Sequence, residues 1–257
     1  MDDTGLLDVL HATVDAVAAA LGGIVDWGPA GTRAGQYRSD LVADAAALEV
    51  LLGAGLGVLS EESGLTESDR ELLAVLDPLD GSTNASRSLP WYATSICVLD
   101  ADGPRAAVVA NLASGRRYQA ARGEGATCDG RPLAPSGRRQ VSGALVAVSG
   151  LPRARPPWGQ TRSLGASALD ICLVAEGVLD AFCDNVADAH GPWDYLGAVL
   201  VCREAGAAVA DARGRDLVTR EHRGRRTPMA AATPELLEEL VRFRTGAGAP
   251  PGGGAGA

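Results

Sequence analysis

The stretch Asp77-Pro78-Leu79-Asp80-Gly81-Ser82-Thr83-Asn84 constrains this chain more than any other. It is entered from a short, unpunctuated apolar run, Leu72-Leu73-Ala74-Val75-Leu76, which reads as a buried strand. Proline should stop that strand and fix the turn. Both carboxylates then sit at a strand end, where they can converge on a hard cation. The Gly-Ser-Thr turn offers free backbone N–H groups to an anion. A cation site beside an anion cradle is what phosphate-ester hydrolysis needs. Asp-Pro and Asp-Gly also make ordinary turns, so the pair alone would not establish this chemistry.

Other acids give it support. Val58-Leu59-Ser60 is a second apolar run, and it ends in Glu61-Glu62. Neighbours on a strand point to opposite faces, so only one of these two acids can face a metal; the other reads as solvated. Far downstream, Trp193-Asp194 opens a long apolar helix, where a carboxylate also suits the helix N-terminus. Acid pair, DPLDGSTN block and WD-helix, in that order over roughly residues 5 to 245, resemble the inositol monophosphatase family of metal-dependent, lithium-sensitive phosphatases.

The resemblance implies an α/β (α+β) fold, a layered αβαβα sandwich of the sugar phosphatase type. It implies two or three Mg²⁺ ions held by Glu61, Asp77, Asp80, Asp194 and the carbonyl of Leu79, with Asp77 bridging two of them. Gly81, Ser82 and Thr83 would bind the phosphate, and the Ser82 hydroxyl would touch the nucleophilic water. The family usually has Thr at that point; Ser keeps the hydroxyl. The acid that polarises this hydroxyl falls, by resemblance, on Asp44, with Asp40 as the substitute. The segment Asp40-Leu41-Val42-Ala43-Asp44 is two residues shorter than the family pattern and carries Ala43 in place of Thr. Gly165, Ala166 and Ser167 resemble the family's substrate loop. Asp184 resembles an acid, usually Glu, that binds substrate hydroxyls. His190 reads as incidental.

The remaining expectations come from composition. The chain has 257 residues and a net charge of −9, which argues against a broad basic face for nucleic acid. All 23 basic residues are Arg, which removes Schiff-base lysine chemistry and a P-loop lysine. Five scattered Cys, without a CxxC pair, read as buried thiols in a reducing cytosol rather than a zinc site. The acidic N-terminus lacks a signal-peptide pattern, and no apolar run is expected to reach membrane-spanning length, so no membrane partner is expected. The expected partner is a small phosphorylated substrate, and the family resemblance implies a homodimer. Sister phosphatases of 3′-phosphoadenosine 5′-phosphate, fructose bisphosphate or histidinol phosphate are rival readings. So are a non-catalytic regulatory protein on this fold and a structural Ca²⁺ site.

Along the chain, helices are expected over residues 4–20 and 40–52. Strands are expected over 58–60, 72–77, 93–99, 105–112 and 116–121, the last three as a meander. A Pro-rich segment, Leu151 to Gly159, is the expected internal boundary, dividing residues 1–150 from 151–245. Beyond it come helix 166–177, strand 178–184, helix 193–205, strands 207–212 and 229–232, and a helix capped by Thr233-Pro234. The Gly/Ala/Pro end, 246–257, reads as disordered.

Overall fold

The computed structural model describes residues 1–33 and 35–246. Two helices come first, α1 (Asp3–Gly22) and α2 (Arg38–Gly53). Eight strands then build one sheet: β1 (Gly57–Ser60), β2 (Gly64–Thr66), β3 (Leu73–Asp80), β4 (Ala93–Asp100), β5 (Gly103–Asn111), β6 (Arg117–Ala121), β7 (Gly125–Cys128) and β8 (Arg131–Pro132). A short helix α3 (Ser82–Ser86) interrupts them after β3. The second sheet uses β9 (Leu145–Ser149), β10 (Gln160–Arg162), β11 (Ala181–Asp184), β12 (Ala208–Asp211) and β13 (Pro228–Ala231). Helices α4 (Ser167–Ala175), α5 (Leu196–Ala205) and α6 (Pro234–Thr245) complete the chain.

The strand sequences bury both faces, and alternate residues serve different layers. Val58, Ala74, Leu76, Ile96, Val98, Ala106 and Val108 face α1 and α2 in one core. Their neighbours Leu59, Val75, Cys97, Ala107 and Val109 share a second core with α4 and α5. In the second sheet Ala147, Phe182 and Ala230 join that same core. Val146, Ala181, Cys183, Met229 and Ala231 turn instead to Leu236 and Leu240 of α6. The order of layers is therefore helix, sheet, helix, sheet, helix, the expected αβαβα sandwich.

Sheet order is β2-β1-β3-β4-β5-β6-β7-β8 and β10-β9-β11-β13-β12. In the first sheet β1 and β3 are parallel, with Ser60 opposite Leu76. Their C-terminal ends therefore meet, which is where open α/β sheets bind ligands. All five cysteines are free and buried, as expected.

Several local expectations need correcting. Pro78 does not end its strand. β3 continues to Asp80 with a register shift, Asp77 lying opposite Ser95 and Asp80 opposite Ala93. Pro78 sits in this bulge, where its missing N–H breaks no ladder bond. α1 starts at Asp3 rather than residue 4, capped by Asp2, whose carboxylate accepts the Gly5 N–H. The helix expected over 193–205 is broken at Tyr195; a single 3-10 turn, Pro192–Asp194, precedes α5. The chain changes sheet between Pro132 and Leu145, so Leu151–Gly159 links β9 to β10 within the second sheet. By length and apolar content α1 does reach membrane-spanning size. Its stripe Leu6, Leu10, Val14, Val17 and Leu21 is spent on the first core. Of the expected disordered end, Gly246 caps α6 and residues 247–257 lie outside the described residues.

Candidate metal and phosphate site

Glu61 follows β1 and Asp77 lies in β3, so the parallel register brings their backbones side by side; the Glu61 N–H donates to the Leu76 carbonyl at 3.1 Å. Asp194 reaches the same point from the 3-10 turn. The Ser95 Oγ donates to the Trp193 carbonyl (3.2 Å), which ties that turn to β4. Asp194 Oδ2 in turn accepts the Gly191 N–H at 2.7 Å. A Cβ at Gly191 would meet the Trp193 ring at 2.4 Å, so only glycine fits there. Carboxylate oxygens of Glu61, Asp77 and Asp194 all lie within 4.8 Å of one another.

Three acids this close repel. Burial first, and then the charge of the neighbouring acids, hold Asp77 well above the ordinary carboxylate range. Burial and then Asp194 push Glu61 up to about 8. Asp80 is pushed up to about 8 by the same two causes. Burial also raises Asp194, against the opposing field of His190. Arg33, His190 and Arg225 offset this crowding only in part, and all-oxygen donors of this density fit a hard divalent ion. Asp80 is anchored through Oδ2, which accepts the Ala168 N–H at 2.8 Å. Leu79 lines the same cavity, and its N–H donates to Asp77 Oδ1 at 3.0 Å.

The anion turn adjoins these acids. Gly81 has φ +84°, and a Cβ there would meet the Trp91 carbonyl at 3.0 Å and Ala166 Cβ at 3.1 Å. Strand β3 therefore turns into α3 through the left-handed region, open chiefly to glycine. Ser82 lines the cavity, and Thr83 Oγ1 is 3.2 Å from the Tyr37 hydroxyl. The close approach of Gly81 to Gly165 and Ala166 brings the expected substrate loop against the phosphate turn.

Three expected roles fall elsewhere. Asp44 is buried and its Oδ1 accepts the Ser60 hydroxyl, which spends it on β1. Asp40 is the acid that lines the cavity beside Ser82; it is pushed up to about 6, by burial above all. Its Oδ2 accepts the Tyr37 N–H at 2.8 Å, while Oδ1 is buried without a partner among the described residues. One helical turn separates Asp40 from Asp44, so spacing across a shortened segment could not choose between them. Glu62 is not solvated: its side chain is 4% exposed, paired with Arg33 at 2.8 Å and bonded to Gln36. β1 ends at Ser60, so the acid pair sits in a turn and strand alternation does not govern it. Asp184 is fully buried, with Oδ1 accepting the Val186 N–H (2.9 Å) and Oδ2 paired with His190 Nδ1 (2.8 Å).

Sequence reading missed the segment that covers the site. His222 Nε2 lies 3.1 Å from the Glu61 carbonyl, and its ring stacks on Trp193 at 4.9 Å. The Arg225 guanidinium lies 5.1 Å from the Trp193 ring. Arg33, His222 and Arg225 line a cavity of about 360 Å³ together with Asp40, Glu61 and Asp77. Thr219–Arg226 reads locally as a charged surface loop, and only its contact with the distant Trp193 reveals its place.

The inositol monophosphatase family model matches residues 52–245. The chain is 29% identical over 208 residues to fructose-1,6-bisphosphatase of Pyrococcus furiosus, spanning 79% of this chain and 80% of that one. It is 34% identical over 173 residues to the Nus factor SuhB of Escherichia coli K12, spanning 61% of this chain and 63% of that one. A solved hypothetical protein from Pyrococcus horikoshii, described as having similarities to inositol-1 monophosphatase, superposes with a TM-score of 0.80 at 26% identity. That superposition covers 93% of this chain and 96% of the other.

Proposed function

Because the chain belongs to the inositol monophosphatase family, we propose that it is a Mg²⁺-dependent phosphomonoesterase acting on a small polyol or sugar phosphate of the inositol monophosphate kind. The observation that carries this reading is the convergence of Glu61, Asp77 and Asp194 beside the Gly81–Thr83 turn. Those three acids, with Asp80 and the Leu79 carbonyl, would hold two or three ions. Bound Mg²⁺ would acidify the attacking water and offset phosphate charge. Asp40 and Ser82 line the same cavity, and the pair would orient that water and accept its proton. The amides of Gly81 to Thr83 meet the equatorial phosphate oxygens. The resting assembly in this reading is a homodimer.

A sugar bisphosphate is the second reading. Arg225 supports it, because it lines the acidic cavity and, among the described residues, its Nη1 donates only to the carbonyls of His222 and Gly224. Phosphate release from inositol 1-phosphate, fructose 1,6-bisphosphate, 3′-phosphoadenosine 5′-phosphate and histidinol phosphate, with and without Mg²⁺, tests both. Mg²⁺-dependent release from the first identifies the main reading, and preference for the second replaces it. No turnover with any of the four sinks the enzyme reading.

A further inference from the structure

Strands β9 and β10 are parallel neighbours. Such pairs are ordinarily joined by a crossover of a dozen or more residues, most often a helix. Here residues 150–159 join them without one. Outside the second sheet the helix layer is therefore α6 alone, with Trp158 set edge-on against Phe243 at 5.1 Å between ring centroids. A cavity of about 490 Å³ is left beside the C-terminal end of α6. Arg153, Arg213 and Arg244 line it, with Phe243, Ala212 and Asn185, and no carboxylate does among the described residues. It shares no residue with the cavity of the metal acids.

The walls of this cavity are held in place. Asn185 Nδ2 donates to the Gly150 and Cys183 carbonyls, both at 3.3 Å. The Asp188 N–H donates to Thr227 Oγ1 at 2.9 Å. Arg244 Nε donates to the Asp184 carbonyl at 2.6 Å, which fixes one edge of the guanidinium and leaves its two Nη groups without a partner among the described residues. Arg213 pairs with Asp188 at 2.6 Å, but Asp188 also serves Arg215, which Asp211 meets as well. Four arginines here thus face two acids, and exposed Arg153 has no ion-pair partner among the described residues. The C-terminal end of α6 adds about half a negative charge, too little to cancel the excess.

We propose that this cavity is a second ligand site, separate from the metal centre, that takes a small organic phosphate with an apolar body. Guanidinium groups meet phosphate oxygens in pairs, so Arg153, Arg213 and Arg244 take the doubly charged head. Phe243 and Ala212 offer the apolar wall on which the body rests. The volume lies in the range of small-molecule sites.

Calorimetric titration of the full chain with phenylphosphonate at pH 8 in EDTA tests this. The probe carries a dianionic head on an apolar ring, and its C–P bond is not a phosphate ester. Without divalent ions the crowded acids of the metal centre repel a dianion, so that cavity does not compete. One equivalent should bind saturably. Arg153→Ala and Arg213→Ala should each weaken binding roughly tenfold, and together roughly a hundredfold, as loss of charge-assisted bonds does. Both side chains are exposed, so these variants should fold as the wild type does. Inorganic sulfate, a head without the ring, should bind at least about tenfold more weakly. No saturable binding, binding unchanged in the double variant, binding lost instead in Arg225→Ala, or sulfate held as tightly as phenylphosphonate would each overturn the assignment. Neither Mg²⁺ nor turnover enters the measurement, so the phosphomonoesterase reading stands or falls apart from it.

Discussion

Two groups of buried acids in this molecule are treated in opposite ways. Asp211, at the end of β12, is 2% exposed and accepts from the backbone of Arg213, Arg215 and Thr227 and from the Arg215 guanidinium at 2.8 Å. Burial would raise it, yet these bonds hold it below the ordinary carboxylate range. At the metal site Glu61, Asp77, Asp80 and Asp194 are desolvated, crowd one another and are all pushed upward. Asp211 is finished by the fold. The four site acids keep a deficit that Arg33, His190 and Arg225 meet only in part and that a bound cation would meet. Perturbation of this second kind is what points to function.

The contrast breaks first at Asp77. Asp77→Asn should cost on the order of a thousandfold or more in kcat/KM at saturating Mg²⁺, about 4 kcal/mol of activation free energy. Its metal-free melting temperature should hold or rise, because a charge kept at a cost has been removed. Activity within tenfold of wild type would end the bridging role. Next, Asp40→Asn should lose about a hundredfold in kcat/KM, as removal of a general base does. Asp44→Asn should stay within about threefold and lose only about 1 kcal/mol of stability, the worth of its bond to Ser60. Reversal of that pair would restore Asp44 as the base.

Titration sharpens the contrast further. The folded state keeps protons on the four site acids that the unfolded chain releases near pH 4. Without divalent ions, stability should therefore fall as pH rises from about 5 to 8. Mg²⁺ at about 100 times its dissociation constant should return about 2.7 kcal/mol at pH 8, and less at pH 5, where protons compete for the same oxygens. Asp211 has the opposite sign: its contribution is present at neutral pH and fades as pH falls through the carboxylate range. A metal-free melting temperature flat from pH 5 to 8 would refute the deficit. The smallest effect is expected at Asp211→Ala. It should cost about 2 kcal/mol of stability, below the range for a fully buried pair because Arg215 is partly exposed, and move kcat/KM by less than about twofold.

What could be read from the sequence follows how far each residue's partners lie along the chain. The block from Asp77 to Thr83 carries its own turn chemistry, so its place at a strand end was legible. The unpunctuated apolar runs at Val58-Leu59 and Leu72 to Leu76 announced buried strands. The burial of Asp184 and its pairing with His190, whose Nε2 meets Ser167 in another element, could not be read from its own neighbourhood. Glu62 needed Arg33 and Gln36, which come before α2. The short strands β9 and β10 have too few residues to show a period, and they flank the Pro-rich segment, which drew the boundary into the wrong place. Arg225 could not be found at all from its own neighbourhood, since Arg and Gly in a loop look alike whether they cover a site or face water.

The contact of α5 with the first sheet sets a gauge for the whole centre. At Gly197 a methyl group would meet Ser95 Oγ and Val109 Cγ2 at 3.0 Å and the Ile96 carbonyl at 3.3 Å. The helix therefore rides as low on the strands as its backbone allows, and Asp194, three residues earlier, is lowered with it toward Glu61 and Asp77. A single hydrogen atom at position 197 thus works as a shim of zero thickness. Thicken it by one carbon and the helix lifts by a few tenths of an ångström, widening the carboxylate mouth from behind. Small ions with rigid octahedral demands suffer from such widening sooner than larger, adaptable ones. A choice among cations at this cluster would in that sense be calibrated by the seating of a helix, at a residue outside the cluster itself.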